Sequence, residues 1–284
     1  MLTRVRTYAS FVRFSHSVFA LPFALVGALL ATRVAPLTWT HLGWIAACMV
    51  TARSAAMGFN RLADAAYDAR NPRTAMRELP QGRMSRAEAV AFVAVASALF
   101  VFCASRLNAV CFALSPVALA IVFWYSMAKR FTSYTQFFLG LAMAVAPVGG
   151  WLAVGGRGGW EPWLLGLAIG TWVGGFDVLY ACQDLDVDRR EGLRSIPVRF
   201  GIVRALRISR GMHVITIACL VALGVVVPLG VIYFAGVAGV IGLLIWEQSL
   251  VRADDLSQVK RAFDLNGWVG ILYLLTTAAA VYWR

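Results

Sequence analysis

Residues 60–86 read NRLADAAYDARNPRTAMRELPQGRMSR. Asn60, Asp64 and Asp68 stand at four-residue steps, and Arg61, Arg70, Arg73, Arg77, Arg83 and Arg86 surround them. Residues four apart lie on one face of a helix, one turn above another, so these three side chains form one stripe. Like charges at that spacing repel, and an acidic stripe without lysine partners needs a reason. The run before it, 39–60, is apolar.

The rest of the chain is apolar too. Of its 284 residues 60% are hydrophobic and 14% charged, and the mean hydropathy is +0.73. A soluble domain carries about a quarter charged residues. Apolar segments of roughly 20 residues, the length that crosses a hydrocarbon core, recur throughout. The composition therefore predicts an all-α polytopic membrane protein, one bundle and one domain over 1–284. Nine spans are expected, at 14–33, 39–60, 87–105, 108–125, 136–155, 162–181, 212–229, 230–247 and 266–283. Pro228 and Gly230 punctuate the turn between the seventh and eighth.

Net charge is +12, which could suggest nucleic acid. Membrane topology accounts for it better. With nine spans, 21 of the lysines and arginines fall on one side and four, Arg33, Arg106, Arg157 and Arg284, on the other. Basic residues collect in cytoplasmic loops, so the N-terminus is expected inside and the C-terminus outside. The expected setting is a bacterial inner membrane with the site facing the cytoplasm. Arg4, Arg6 and Arg13 before the first apolar run resemble a signal peptide, but the run is long and reads as an uncleaved span. Cys48, Cys103, Cys111, Cys182 and Cys219 lie in or beside apolar runs without a CxxC pair. They read as small buried hydrophobes rather than disulfides or metal ligands.

The opening pattern has an echo. Tyr180, Asp184, Asp188 and Gly192 repeat the four-residue step, and an arginine-rich loop again follows. Two pseudo-related halves with motif loops at 60–86 and 180–210 are expected to meet at one site, as halves do in other membrane bundles. A divalent cation would relieve the repulsion within each stripe. Magnesium takes hard oxygen ligands, often one or two carboxylates plus substrate phosphates. Guanidinium groups bind phosphate in bidentate fashion. Acids holding Mg²⁺ beside arginines holding diphosphate, at a membrane edge, suit a diphosphate with a lipid tail. The plainer alternative is that acids at helix ends simply pair with arginines of the adjoining loops.

These motifs resemble the UbiA superfamily of intramembrane aromatic prenyltransferases. NxxxDxxxD before NPRTAMRELPQG, and YxxxDxxxDxxxG before RSIPVRFG, are similar to its two signature loops. FSHSVFALPFAL (14–25), RSAAMGFNR (53–61), YSMAKRFT (125–132) and LGLAMAVAPVGGWLAV (139–154) extend the likeness over about the first 200 residues. The resemblance implies metal ligation by Asn60, Asp64, Asp68, Asp184 and Asp188. It implies diphosphate contacts from Arg73, Arg77, Tyr125 and Lys129, with Arg194 of the second loop beside them. His16 matches a position near the site, where a plain structural role is equally open. Two departures stand out: Val187 precedes Asp188 while Asp186 lies one position earlier, and Ser15 precedes His16 where an acid is common.

Arg53 lies one heptad before Asn60. A charge within a span is costly and marks a functional site by default. It is expected to bind the carboxylate of an aromatic acceptor, with an ion pair to Asp64 or Asp177 as the alternative. Asp177, also within a span, could orient Arg53 or the acceptor hydroxyl. Phe19, Phe59 and Phe176 could flank an allylic cation. The implied reaction is Mg²⁺-dependent transfer of a polyprenyl group from its diphosphate to a ring carbon of 4-hydroxybenzoate, with Asp184 or Asp188 taking the proton. The product would be a precursor of ubiquinone. A hydroxynaphthoate of menaquinone synthesis is the close alternative, because RTAMRELPQGRMS and FALPFAL resemble that branch equally. A cation-coupled carrier of an anionic solute is more remote. The DGxxAR signature of the lipid alcohol phosphotransferases is absent.

Overall fold

The structure is a computed structural model that describes Phe11 and residues 20–283. Among the described residues all regular structure is helical: α1 (Leu21–Ala31), α2 (Trp39–Arg70), α3 (Arg86–Leu107), α4 (Ala109–Ala128), α5 (Thr135–Ala153), α6 (Glu161–Ala181), α7 (Leu185–Arg190), α8 (Ile196–Val226), α9 (Gly230–Leu250) and α10 (Val259–Tyr282). Eight are long and apolar enough to cross a membrane when α6 and α7 are counted together, and α1 is a shorter apolar helix. Lipid offers no partner for backbone groups, so spanning segments must be helical. Large apolar side chains such as Val95, Phe102, Trp163 and Leu275 remain exposed on the bundle, as helices facing hydrocarbon require.

Consecutive helices pack as neighbours, α2 on α3, α5 on α6 and α9 on α10, while α6 also packs on α8 and α1 on α5. Helix α10 returns to α1 and closes the ring. Phe23, Trp151, Leu165, Trp172, Tyr233 and Tyr273 fill the main core. The tightest crossings have no side chain at the contact. A Cβ on Gly150 would fall on the carbonyl oxygen of Ala24, one on Gly27 on that of Pro147, and one on Gly140 on that of Gly170. Small residues let backbones approach where hydrophobic burial cannot drive association.

Two boundaries differ from the sequence reading, and both bear on the site. The second span was expected to end at residue 60, but α2 continues to Arg70. Its last turns face a polar cavity instead of lipid, so helix persists where hydropathy stops. The seventh span was expected over 212–229, yet α8 begins at Ile196, with Gly201 at φ 75° marking a kink near its start. The expected second stripe is not one continuous α-helix either. α6 ends at Ala181, a 3₁₀ turn covers Cys182–Asp184, and α7 follows. The turn at 228–230 is as read, with Gly230 at φ 75°.

The loop between α2 and α3 is locally fixed. The Arg73 amide donates to Asn71 Oδ1 at 2.9 Å, an Asx turn that replaces the lost helical partner. Thr74 Oγ1 donates to the Asp68 carbonyl at 3.2 Å. Gly82 supplies the positive φ the turn needs. Ser85 and Glu88 then form a capping box that starts α3.

Candidate active site

The ends of α2, α4 and α6, with α7 and the start of α10, enclose a cavity of about 700 Å³. The first stripe forms one wall. Asp64 and Asp68 are only 5% and 6% exposed, and Asn60 Nδ2 donates to Asp64 Oδ2 at 3.3 Å. Arg77 Nη1 donates to both oxygens of Asp68, at 2.8 and 2.7 Å. Arg130 Nη2 donates to Asp64 Oδ1 at 2.9 Å.

The opposite wall carries the second motif. Although the helix is rewound through a 3₁₀ turn, Tyr180, Asp184 and Asp188 all still line the cavity. Arg73 crosses from the first loop to this wall. Its Nε and Nη2 donate to Asp184 at 3.2 and 2.6 Å, and Nη1 donates to the Tyr180 hydroxyl at 2.6 Å. Arg70 and Glu191 form a second tie at 2.6 Å. Asp186 is exposed and off the wall, so it does not substitute for the acid missing at Val187, which does line the cavity.

Asp64, Asp68 and Asp184 are thus paired with loop arginines, as the plainer reading expected. What that reading leaves unexplained is their convergence. Two motifs from opposite halves of the chain share one cavity, and Arg73 of one is bonded to the acid of the other. Arg77 Nε is moreover buried without a hydrogen-bond partner, a donor left over for an anion. The donor set fits Mg²⁺ in kind, because these side chains offer only carboxylate and amide oxygen. Among the described residues no three His, Cys, Asp or Glu side chains form a ready-made cage. A small hard cation that keeps water and substrate oxygens in its shell does not require one.

Arg53, Tyr125, Lys129 and Asp177 line the same cavity. Arg53 and Tyr125, with Leu139 and Met143, also line a second cavity of about 650 Å³. That cavity is otherwise mostly apolar, with walls from α1 to α6 that include Ile45, Phe100, Leu114 and Val148. Arg53 therefore stands at the border between a charged space and a greasy one.

Other expected residues fall elsewhere. Arg194 is exposed and off the cavity wall; its amide donates to the Lys129 carbonyl at 2.8 Å and its Nη1 to the Phe131 carbonyl at 2.8 Å. It ties the second loop to the end of α4. Phe176 lines the polar cavity, while Phe59 stacks on Phe123 outside both cavities. His16 and Phe19 lie outside the described residues. Gln136, Lys260 and Asp264 also line the polar cavity and were not anticipated. Lys260 and Asp264 stand four apart just before the last apolar run, a signal that could have been read.

Known proteins resemble this chain in sequence and in fold. The sequence model of the UbiA prenyltransferase family matches residues 20–275. A protein of Sodalis glossinidius named 4-hydroxybenzoate octaprenyltransferase is 35% identical over 227 residues, covering 78% of this chain and 76% of that one. The apo structure of a UbiA homolog from Aeropyrum pernix K1 superposes with a TM-score of 0.85 at 36% identity, over 92% of this chain and 96% of that one. A UbiA homolog from Archaeoglobus fulgidus, bound to DMAPP and Mg²⁺, shares the fold with a TM-score of 0.76 at 20% identity, over 98% and 99% of the two chains.

Proposed function

The chain belongs to the UbiA prenyltransferase family, and from that premise we propose that it transfers a polyprenyl group from polyprenyl diphosphate to a ring carbon of 4-hydroxybenzoate in ubiquinone-type quinone biosynthesis. The observation that carries this reading is the border position of Arg53. A cavity of paired acids and arginines shares Arg53 and Tyr125 with an apolar cavity large enough for part of a lipid tail. The name of the Sodalis relative supports 4-hydroxybenzoate over the hydroxynaphthoate alternative. The concentration of polar groups at one end of the bundle favours an enzyme over a carrier.

Asn60, Asp64 and Asp68 from one wall, and Asp184 and Asp188 from the other, would hold Mg²⁺, which when bound offsets charge on the diphosphate as it leaves. Arg73 and Arg77 exchange their carboxylate partners for phosphate oxygens, and Lys129 and Tyr125 add donors from the end of α4. The allylic C–O bond breaks with its electron pair leaving on the diphosphate. Apolar walls keep water from the resulting cation, and the face of Phe176 is available to stabilise it. Arg53 pairs with the acceptor carboxylate and so fixes which ring carbon is presented. The carbon ortho to the hydroxyl forms the new C–C bond, and its proton passes to Asp184 or Asp188, directly or through the phenol. Asp177 orients Arg53 or the acceptor hydroxyl. The positive-inside bias supports a cytoplasmic position for the two motif loops, and so for the site, in a bacterial inner membrane.

The test uses purified protein in detergent with geranyl diphosphate, Mg²⁺ and a panel of aromatic acids, read by mass spectrometry beside an Asp64→Ala control. Prenylated 4-hydroxybenzoate that disappears in the control is expected. Product from a naphthoate alone would move the acceptor, and intact diphosphate with every acceptor would overturn the reading.

A further inference from the structure

We infer that Arg130 is a positioning residue for the first metal-binding stripe: it sets the Asp64 carboxylate, and thereby the strength of cation binding, without touching substrate. The inference rests on the metal reading proposed above. The observation behind it is a difference between arginines that look alike in sequence. Arg77 spends both its bonds on Asp68, and Arg73 spends its bonds on Asp184 and Tyr180. Both line the cavity and can turn to an anion. Arg130 does not line it.

Its guanidinium is held from several sides at once. Nη2 donates to the Ala63 carbonyl at 2.7 Å as well as to Asp64 Oδ1 at 2.9 Å. Nη1 donates to the Ser126 carbonyl at 3.2 Å. The Cζ atom lies 5.3 Å from the centroid of the Tyr67 ring, and Tyr67 is itself on the cavity wall. Two backbone carbonyls on two helices and an aromatic face anchor the group, so a cation arriving at Asp64 does not release it. One carboxylate oxygen is thereby fixed, and Oδ2 is left to Asn60 and to the cation. The same fork joins the acid stripe of α2 to the end of α4, which carries Tyr125 and Lys129. Lysine cannot replace it, because a point charge lacks the planar fork that serves carboxylate and carbonyls together.

A rival role has the opposite sign. If Arg130 were a stand-in cation occupying the metal's place, removing it would free Asp64 and tighten cation binding. If it positions Asp64, removing it weakens binding by about 10- to 100-fold, the usual effect of losing an outer partner of a metal ligand. The experiment titrates the full chain in detergent with Mn²⁺ in the presence of inorganic diphosphate, counting free Mn²⁺ by electron paramagnetic resonance. Wild type, R130M, R130K and D64A are compared, with thermal unfolding recorded for each. Expected are weaker binding in R130M, only partial recovery in R130K, and a kcat at saturating metal closer to wild type than the affinity is. Unchanged or tighter Mn²⁺ binding in R130M overturns the inference, whatever its melting temperature. Should R130M fail to fold, R130K decides alone, and wild-type affinity there overturns it equally. Wild type binding no more Mn²⁺ than D64A would instead sink the metal reading on which the inference stands.

Discussion

Replacing Arg73 by alanine separates what this side chain does for the fold from what it does for the substrate. Its bidentate pair with Asp184 is partly exposed, with 38% and 22% of the two side chains accessible. Water screens such a pair, so its contribution to stability is about 0–1 kcal/mol. A charge-assisted bond from the same guanidinium to a diphosphate is worth about 1.5–3 kcal/mol. At 1.4 kcal/mol per decade, kcat/KM for the prenyl diphosphate should fall roughly 10- to 150-fold, while KM for the aromatic acid stays near its original value. The assay is initial rate against prenyl diphosphate at saturating 4-hydroxybenzoate, with thermal unfolding alongside. A kcat/KM near wild type combined with a clearly lower melting temperature would refute the reasoning. Arg73 would then be a tether between the two loops and nothing more.

Arg53→Leu should raise KM for 4-hydroxybenzoate by about tenfold or more, the loss of one charge-assisted pair, and leave KM for prenyl diphosphate little changed; equal losses for both substrates would remove Arg53 from the acceptor site. Gly150→Leu should lower stability by about 1–3 kcal/mol through overpacking, since its Cβ would meet the Ala24 carbonyl; an unchanged thermal melt in detergent would mean that α1 and α5 can spread. Trp172→Phe removes the indole donor that reaches Asn266 Oδ1 at 2.8 Å. Hydrogen bonds within membrane bundles average about 0.6 kcal/mol and reach about 1.7, so the melt should move modestly, and a larger loss would mean that Asn266 and Glu247 depend on the indole as a network.

The acid stripes were legible because acids at four-residue steps stand out in a chain that is only 14% charged. Asp64 and Asp68 share a wall because α2 runs on as helix to residue 70, and Asp184 and Asp188 reach the opposite wall even through a 3₁₀ turn. Hydropathy found the apolar lengths but not the overrun of α2 or the early start of α8. The α2 overrun is polar, and the early part of α8 is apolar helix interrupted by four arginines, Arg199, Arg204, Arg207 and Arg210, so a hydropathy window takes neither as a span. Arg130 was legible only as a charge in an inner loop, and Arg194, expected beside the diphosphate, instead ties the second loop to the end of α4. Their different roles depend on which carbonyls each can reach, and nothing local in sequence encodes that. Lys260 and Asp264 carry a readable four-residue step, but their arrival at the cavity depends on α10 closing the ring, a long-range fact.

The glycine crossings of α5 limit how this protein could be re-engineered. On one side its backbone rests on α1 through Gly27 and Gly150, and on the other it meets α6 through Gly140. No methyl group can be trimmed there to enlarge the apolar cavity, and none can be added. The walls contributed by α3 and α4 consist of ordinary side chains such as Phe100, Leu114 and Val122. Libraries aimed at a different prenyl tail length should vary those positions and leave the α5 glycines alone.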